Sequence, residues 1–172
     1  DFNPNNLKYS NAESRLNRAL QSNYEMGSTF KPLTVAMGMH YMLIDDKMKF
    51  DVSKPIKNTI HDYKPFNGYL DIKGILVKSS NIGAAKIAKI IGKEKQKDFF
   101  RKIGFYDPVK IQLKEAAKPL GNRHNWGEIE TMTIGFGHGF GVTSLHLASA
   151  YCTMLNQGMK SNPKILLEKK SN

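Results

Sequence analysis

Apolar positions recur at intervals of three and four along much of the chain, the mark of helices that each bury one stripe. The longest such pattern runs from Gly27-Ser28 to about Ile44 and carries Phe30, Leu33, Ala36, Met37, Tyr41 and Ile44. Pro32 is admissible in its first turn, where amides lack helical partners. Ahead of it, residues 1–9 read as loop, with Asn3, Pro4, Asn5 and Asn6. Ser10 and Glu13 have capping-box spacing, which predicts a short helix to about Leu20. The stretch from Asp45 to Gly68, with Pro55 and Pro65, reads as loop-rich.

Further on, the spacing predicts a short helix over Asp71 to Lys78 with Ile72, Ile75 and Leu76 inward. Ser79-Ser80-Asn81 breaks it, because all three residue types favour caps over helix interiors. A second helix is expected from Ile82 to Ile91, stopping at Gly92, and a third from about Lys93 to Ile103, stopping at Gly104. An irregular stretch is expected to Thr133, then a glycine run from Gly135 to Gly141. Thr143 or Ser144 caps a last apolar helix that carries Leu145, Ala148, Tyr151, Cys152 and Leu155 and ends at Gly158. Almost nothing alternates as a strand would. The tail from Lys160 to Asn172, with Ile165-Leu166-Leu167, reads as the start of an element continued in a longer protein. The chain reads as cut at both ends.

Composition narrows the class. The 172 residues are 40% apolar and 24% charged, a globular balance that suits one domain. No run approaches the ~18 apolar residues of a membrane span. No signal peptide opens the chain, and the single Cys152 excludes an internal disulfide or a cysteine-based zinc site. There are 26 Lys or Arg against 15 Asp or Glu, a formal charge of +11. Only Arg15, Arg18, Arg101 and Arg123 are arginines, and the lysines are scattered. Nucleic-acid surfaces cluster cations among stacking aromatics, so the charge reads as solubility and no nucleic-acid partner is expected.

Two short motifs carry chemistry. In Ser28-Thr29-Phe30-Lys31 the spacing of three puts a hydroxyl and an amine on one helix face. Such a pair performs acyl transfer if the amine is neutral when it takes the serine proton. Free lysine titrates near about 10.4, so burial or a nearby cation must lower it. The Ser28 amide, at a helix N-terminus, is placed to donate to an oxyanion. The bland reading is an N-cap serine and a solvated lysine, and Ser161-Asn162-Pro163-Lys164 repeats the spacing in the tail. Ser79-Ser80-Asn81 is the second motif: a turn on the bland reading, a hydroxyl and a carboxamide presented to the first site on the functional one.

Taken jointly, the segments resemble a known family. Asn17-Arg18-Ala19 with Tyr24-Glu25-Met26-Gly27-Ser28-Thr29-Phe30-Lys31-Pro32 is similar to the nucleophile segment of class B penicillin-binding proteins. Val77 to Ala88, containing Ser-Ser-Asn-Ile-Gly-Ala, resembles their second motif, in the form typical of the division-specific septal transpeptidases. Trp126 and Thr133 to Gly139 are similar to the glycine-rich stretch, and Val142 to Ala148 to the helix start that follows it, with Ser144 in place of Pro.

The resemblance implies a β-lactamase/transpeptidase-like α/β fold. The stretch present would be its mainly helical portion without most of the central sheet, so that residues 1–172 form a partial transpeptidase domain. It implies that Ser28 attacks the D-Ala-D-Ala carbonyl of a peptidoglycan stem peptide and that an amine of a neighbouring stem resolves the acyl-enzyme. Lys31 would be the base, Ser79 would relay the proton, and Asn81 would hold Lys31 and the substrate amide. Gly137, His138 and Gly139 would border the substrate, and β-lactams would acylate Ser28. Division proteins are implied partners. The implied location is the periplasmic side of the inner membrane, with membrane contact only through a segment not present here. No cofactor or metal is implied.

Departures matter too. The family's third motif, Lys-Thr-Gly or Lys-Ser-Gly, occurs nowhere in the sequence, so the fragment itself is expected to be inactive. Met26 replaces the usual Pro and is expected to loosen the turn before Ser28. The glycine run lacks the strand–helix setting and the acidic residue of a nucleotide fingerprint. The five histidines, at 40, 61, 124, 138 and 146, show no metal-ligand spacing, Trp126 reads as a packing anchor, and Phe99 and Phe100 read as core. Two alternatives stay open. One is a β-lactam receptor or hydrolase of the same Ser/Lys type; the other is a non-catalytic cell-wall or division-complex binding module.

Overall fold

The longest apolar stripe does form a buried helix, but in two parts and over a shorter span. In the computed structural model, which describes residues 3, 5–121 and 126–166, Gly27–Phe30 is a 3₁₀ turn that leads into α2 (Lys31–His40). Tyr41 caps that helix, and the chain turns through Met42 at φ 53° before Ile44 returns to the core. The N-terminal helix expected over Ser10–Leu20 shrinks to α1 (Arg18–Gln21). Its capping box does not form. Ser10 Oγ instead donates to Leu7 O at 2.9 Å, and Glu13 pairs with Arg18 at 3.1 Å. Leu20 is the residue of α1 that is buried, and so short a helix gains little without a face to bury.

Among the described residues the strands are two residues long. β1 (Tyr24–Glu25) pairs antiparallel with β4 (Gly141–Val142), with Tyr24 opposite Val142; β2 (Phe50–Asp51) pairs with β3 (Tyr69–Leu70) inside the loop-rich stretch. Then α3 (Ile72–Val77) is capped by Asp71, whose carboxylate accepts from Gly74 N at 2.6 Å. Ile75 points inward as expected, but Leu76 is exposed. The bond from Gly83 N to Ser80 Oγ, 2.9 Å, starts α4 (Asn81–Ile91). Helix α5 (Lys93–Ile103) stops at Gly104 in the left-handed region.

The stretch read as irregular contains α6 (Glu128–Ile134). Its β-branched Ile129, Thr131 and Thr133 hide it from propensity; the burial of Thr131, Met132 and Ile134 holds it helical. Gly135 follows directly, and a Cβ there would lie 2.5 Å from Ala88 Cβ, so α6 reaches α4 only through glycine. Helix α4 packs against both α2 and α6. Its Ile82, Ile87 and Ile91 are buried, each contributing about 2 kcal/mol of apolar transfer. Beyond them lies an aromatic core of Phe30, Phe100, Phe105, Phe140 and Trp126; the Phe30 and Phe100 rings meet edge-on at 5.6 Å. Phe99 is half-buried at its edge.

Thr143 caps α7 (Ser144–Leu155), its hydroxyl accepting from His146 N at 3.3 Å. The apolar residues of α7 do not all face inward. His146, Ala150 and Thr153 point inward, whereas Ala148, Cys152 and Leu155 are exposed, Leu155 at 80%. The helix is apolar on both sides, so periodicity alone could not choose. Buried His146 is satisfied twice: Nε2 lies 2.9 Å from the Asp107 carbonyl, and Nδ1 lies 2.7 Å from Thr143 Oγ1. A carbonyl only accepts, so Nε2 carries the proton and the threonine hydroxyl donates to Nδ1. Residues 160–166 form no helix or strand, and Leu167–Asn172 of the expected tail element lie outside the described residues, as do His124, Arg123 and Pro4.

Candidate active site

The nucleophile turn is built by contacts from distant parts of the chain. β1 delivers the backbone to Gly27, whose N–H donates to Gly137 O at 3.2 Å. Gly137 has φ +83°, and a Cβ on it would fall 2.2 Å from Gly27 O, so two glycines in contact form the floor beneath the turn. Thr29 Oγ1 donates to Met26 O at 2.7 Å, and Tyr151 of α7 donates to Thr29 O at 2.8 Å. Buried Thr34, one turn into α2, donates to Gly135 O at 2.8 Å. Met26 keeps φ −77°, a value proline also adopts.

This frame leaves Ser28 exposed and buries Lys31, of which 1% is accessible. The lysine is therefore not the solvated side chain of the bland reading. Its Nζ lies 3.0 Å from Ser28 Oγ, 2.9 Å from Ser79 Oγ and 2.6 Å from Ser79 O. Desolvation lowers its pKa to about 8, against a smaller upward pull from Asp62. A neutral amine has two hydrogens and one lone pair. The Ser79 carbonyl must receive one hydrogen, and the second can go to Ser79 Oγ. The lone pair then faces Ser28. In that state the amine can take the serine proton, and Ser79 can hold the proton that moves on.

Ser79 reaches the amine from a left-handed backbone, φ 54°, at the break between α3 and α4. Asn81 does not hold Lys31 in this structure. Its Nδ2 donates instead to His61 O at 3.0 Å, which turns the carboxamide oxygen away from that loop. Within the glycine run, Gly137 is buried against Gly27, whereas His138 and Gly139 are exposed. His138 stands with its ring 5.1 Å from Phe136, and Gly139 N donates to Glu25 Oε1 at 2.9 Å, tying the loop to the strand before the nucleophile. Ser161 and Lys164 of the second tetrad lie exposed in the irregular tail.

The model of the penicillin binding protein transpeptidase domain matches residues 1–171. The chain belongs to this family. It is 37% identical over 161 residues to the Caulobacter vibrioides protein named "Probable peptidoglycan D,D-transpeptidase FtsI", covering 92% of this chain and 27% of that one. It is 30% identical to the Escherichia coli K12 "Peptidoglycan D,D-transpeptidase FtsI" with the same two coverages. It superposes on the apo transpeptidase domain of penicillin-binding protein 3 from Burkholderia pseudomallei with a TM-score of 0.82 at 29% identity, covering 90% of this chain and 48% of that one. The chain thus spans about a quarter of the length of these FtsI relatives and about half of that solved domain. The expected α/β fold family stands, with a mainly helical fragment of it present.

Sequence reasoning missed the residues that frame this site. Asp62 accepts from Ser80 Oγ at 2.7 Å and from Ile82 N at 2.9 Å, and the neighbouring His61 carbonyl holds Asn81. A His-Asp pair in a polar loop carries no motif that separates it from a solvated turn. Thr34 and Tyr151 were equally silent, since each reads as an ordinary position on an apolar helix.

Proposed function

We propose that the protein containing this chain is a serine acyltransferase that crosslinks peptidoglycan stem peptides. Ser28 attacks the D-Ala-D-Ala carbonyl, D-alanine leaves, and an amine from a neighbouring stem takes the acyl group. Lys31, neutral, accepts the Ser28 proton as the Oγ–carbon bond forms. Ser79 passes a proton to the leaving nitrogen as the peptide bond breaks, and Asn81 offers its carboxamide oxygen to the substrate amide. His138 and Gly139 border the groove. The observation that carries the reading is the buried Lys31 amine within hydrogen-bonding distance of both Ser28 and Ser79. The names of the FtsI relatives support the same substrate and a role in division.

A β-lactam is bound as a mimic of the D-Ala-D-Ala end and leaves a stable ester on Ser28. Labelling the intact protein with a fluorescent penicillin tests this. A covalent adduct at Ser28, lost in Ser28→Ala and slowed at least about a hundredfold in Lys31→Ala, is expected. An adduct that persists in Ser28→Ala sinks the assignment. A protein that labels and then rapidly frees itself is a hydrolase instead. No helix among the described residues is long and apolar enough to cross a membrane. We place the enzyme on the periplasmic side of the inner membrane, held there by a segment outside this chain. Division proteins are its proposed partners.

A further inference from the structure

The loop that ends at His61-Asp62 makes a three-point clamp on the Ser79–Asn81 triplet. One carboxylate oxygen of Asp62 accepts from Ser80 Oγ at 2.7 Å and the other from Ile82 N at 2.9 Å, while His61 O accepts from Asn81 Nδ2 at 3.0 Å. The loop is itself braced: Ile56 and Ile60 form a β-bridge, and His61 Nε2 donates to Asn58 O at 3.1 Å. Ser80 is 1% exposed and cannot turn to water for a partner. A negative group at the first turn of α4 also suits that helix end. Ser79, the residue just before this clamp, has the unfavourable left-handed backbone that points both its oxygens at Lys31. Such a conformation persists only where its surroundings over-determine it.

We propose that Asp62 is a positioning residue for acylation: its carboxylate locks Ser80 and the start of α4 so that Ser79 is held on the Lys31 amine. The inference rests on the reading of Ser28, Lys31 and Ser79 given above. Asp62 has a second effect through its charge, which opposes the desolvation of Lys31. Other charged groups near the site are turned elsewhere. From α3, Lys78 lies over the Phe66 ring, and from α4, Lys86 donates to Asp51 O. From β1, Glu25 accepts from Gly139, and from α6, Glu128 is bound by Lys57 and Lys89. Asp62 thus does two separable things. It fixes geometry, and it keeps the Lys31 proton affinity from falling further.

Three variants of the intact protein separate the two effects, read as the second-order rate of fluorescent-penicillin acylation against pH. Asp62→Ala removes both and slows acylation roughly ten- to a hundredfold, since small misplacements at a reacting centre cost that much. Ser80→Ala breaks one arm of the clamp without altering charge, so the rate falls while the pH of half-maximal rate stays put. Asp62→Asn keeps an acceptor for Ile82 N, loses the charge, and moves the half-maximal point to lower pH. Should Asp62→Ala fail to fold, the Asp62→Asn profile decides. Wild-type rates with an unmoved profile in Asp62→Asn and Ser80→Ala overturn the role of Asp62 and leave the Ser28 reading intact. No adduct in the unsubstituted protein overturns the reading beneath it.

Discussion

Lys31, the proposed base, works against the stability of its own fold. Its pKa falls from 10.5 to about 8, so between those values the unfolded chain holds more protons than the folded one. Stability then rises with pH across that window, and at pH 7 the buried amine costs on the order of 3 kcal/mol before its hydrogen bonds are counted. Lys31→Met in the intact protein, which fills the site without charge, should melt at higher temperature than the parent at pH 7. The advantage should shrink toward pH 10, and the penicillin adduct should disappear; thermal melts at both pH values check this. Acylation of the parent should rise with pH through about 8 and level off, because only the neutral amine accepts the serine proton. An acylation rate flat from pH 6 to 9 contradicts Lys31 as the base. The pairing of Ser28 with Lys31 was legible in the spacing of the tetrad. The burial of Lys31 was not, because the groups that cover it come from elsewhere in the sequence. Asp62 was illegible for the same reason.

At the scale of elements, the helices that end in glycine or begin with a hydroxyl or a carboxylate were readable from local chemistry. Helix α5 ends at Gly104, α4 begins at Ser80 and α7 begins at Thr143, each where its own residues favour a cap. Elements made by tertiary contact were not. Helix α6 exists because Met132 and Ile134 are buried, and the inward face of α7 was chosen by its neighbours rather than by its pattern. Two predictions belong here. Gly137→Ala must place a Cβ against Gly27 O at positive φ, so it should destabilise the intact protein by more than about 2 kcal/mol and abolish labelling. Urea midpoints and the fluorescent adduct measure both. Helix α7 should carry an acid sensitivity through His146, whose pKa is lowered chiefly by burial. The unfolded chain takes up that proton first, so stability is full above about pH 6.5 and falls as pH drops through the folded value. His146→Gln should narrow the difference in urea midpoint between pH 7 and pH 5.

On the scale of the whole molecule, this chain holds two of the family's three motifs. The residues proposed as nucleophile, base and hydroxyl relay meet within it, while the third motif is absent from its sequence. We therefore expect the 172-residue chain by itself to turn over a D-Ala-D-Ala thioester far more slowly than the intact protein, which a direct comparison of initial rates measures. The ion pairs matter little to that balance. Those of Glu128 with Lys57 and Lys89 are exposed and screened, and the surplus of lysine serves mainly to keep the surface wetted.

The contact between Gly27 and Gly137 also fixes an order in time. Ser28 is synthesised before Gly137, whose backbone seats its turn. A nascent chain therefore carries the proposed nucleophile before it carries the glycine floor beneath it. On the proposed reading, a product truncated before Gly137 should form no penicillin adduct at Ser28.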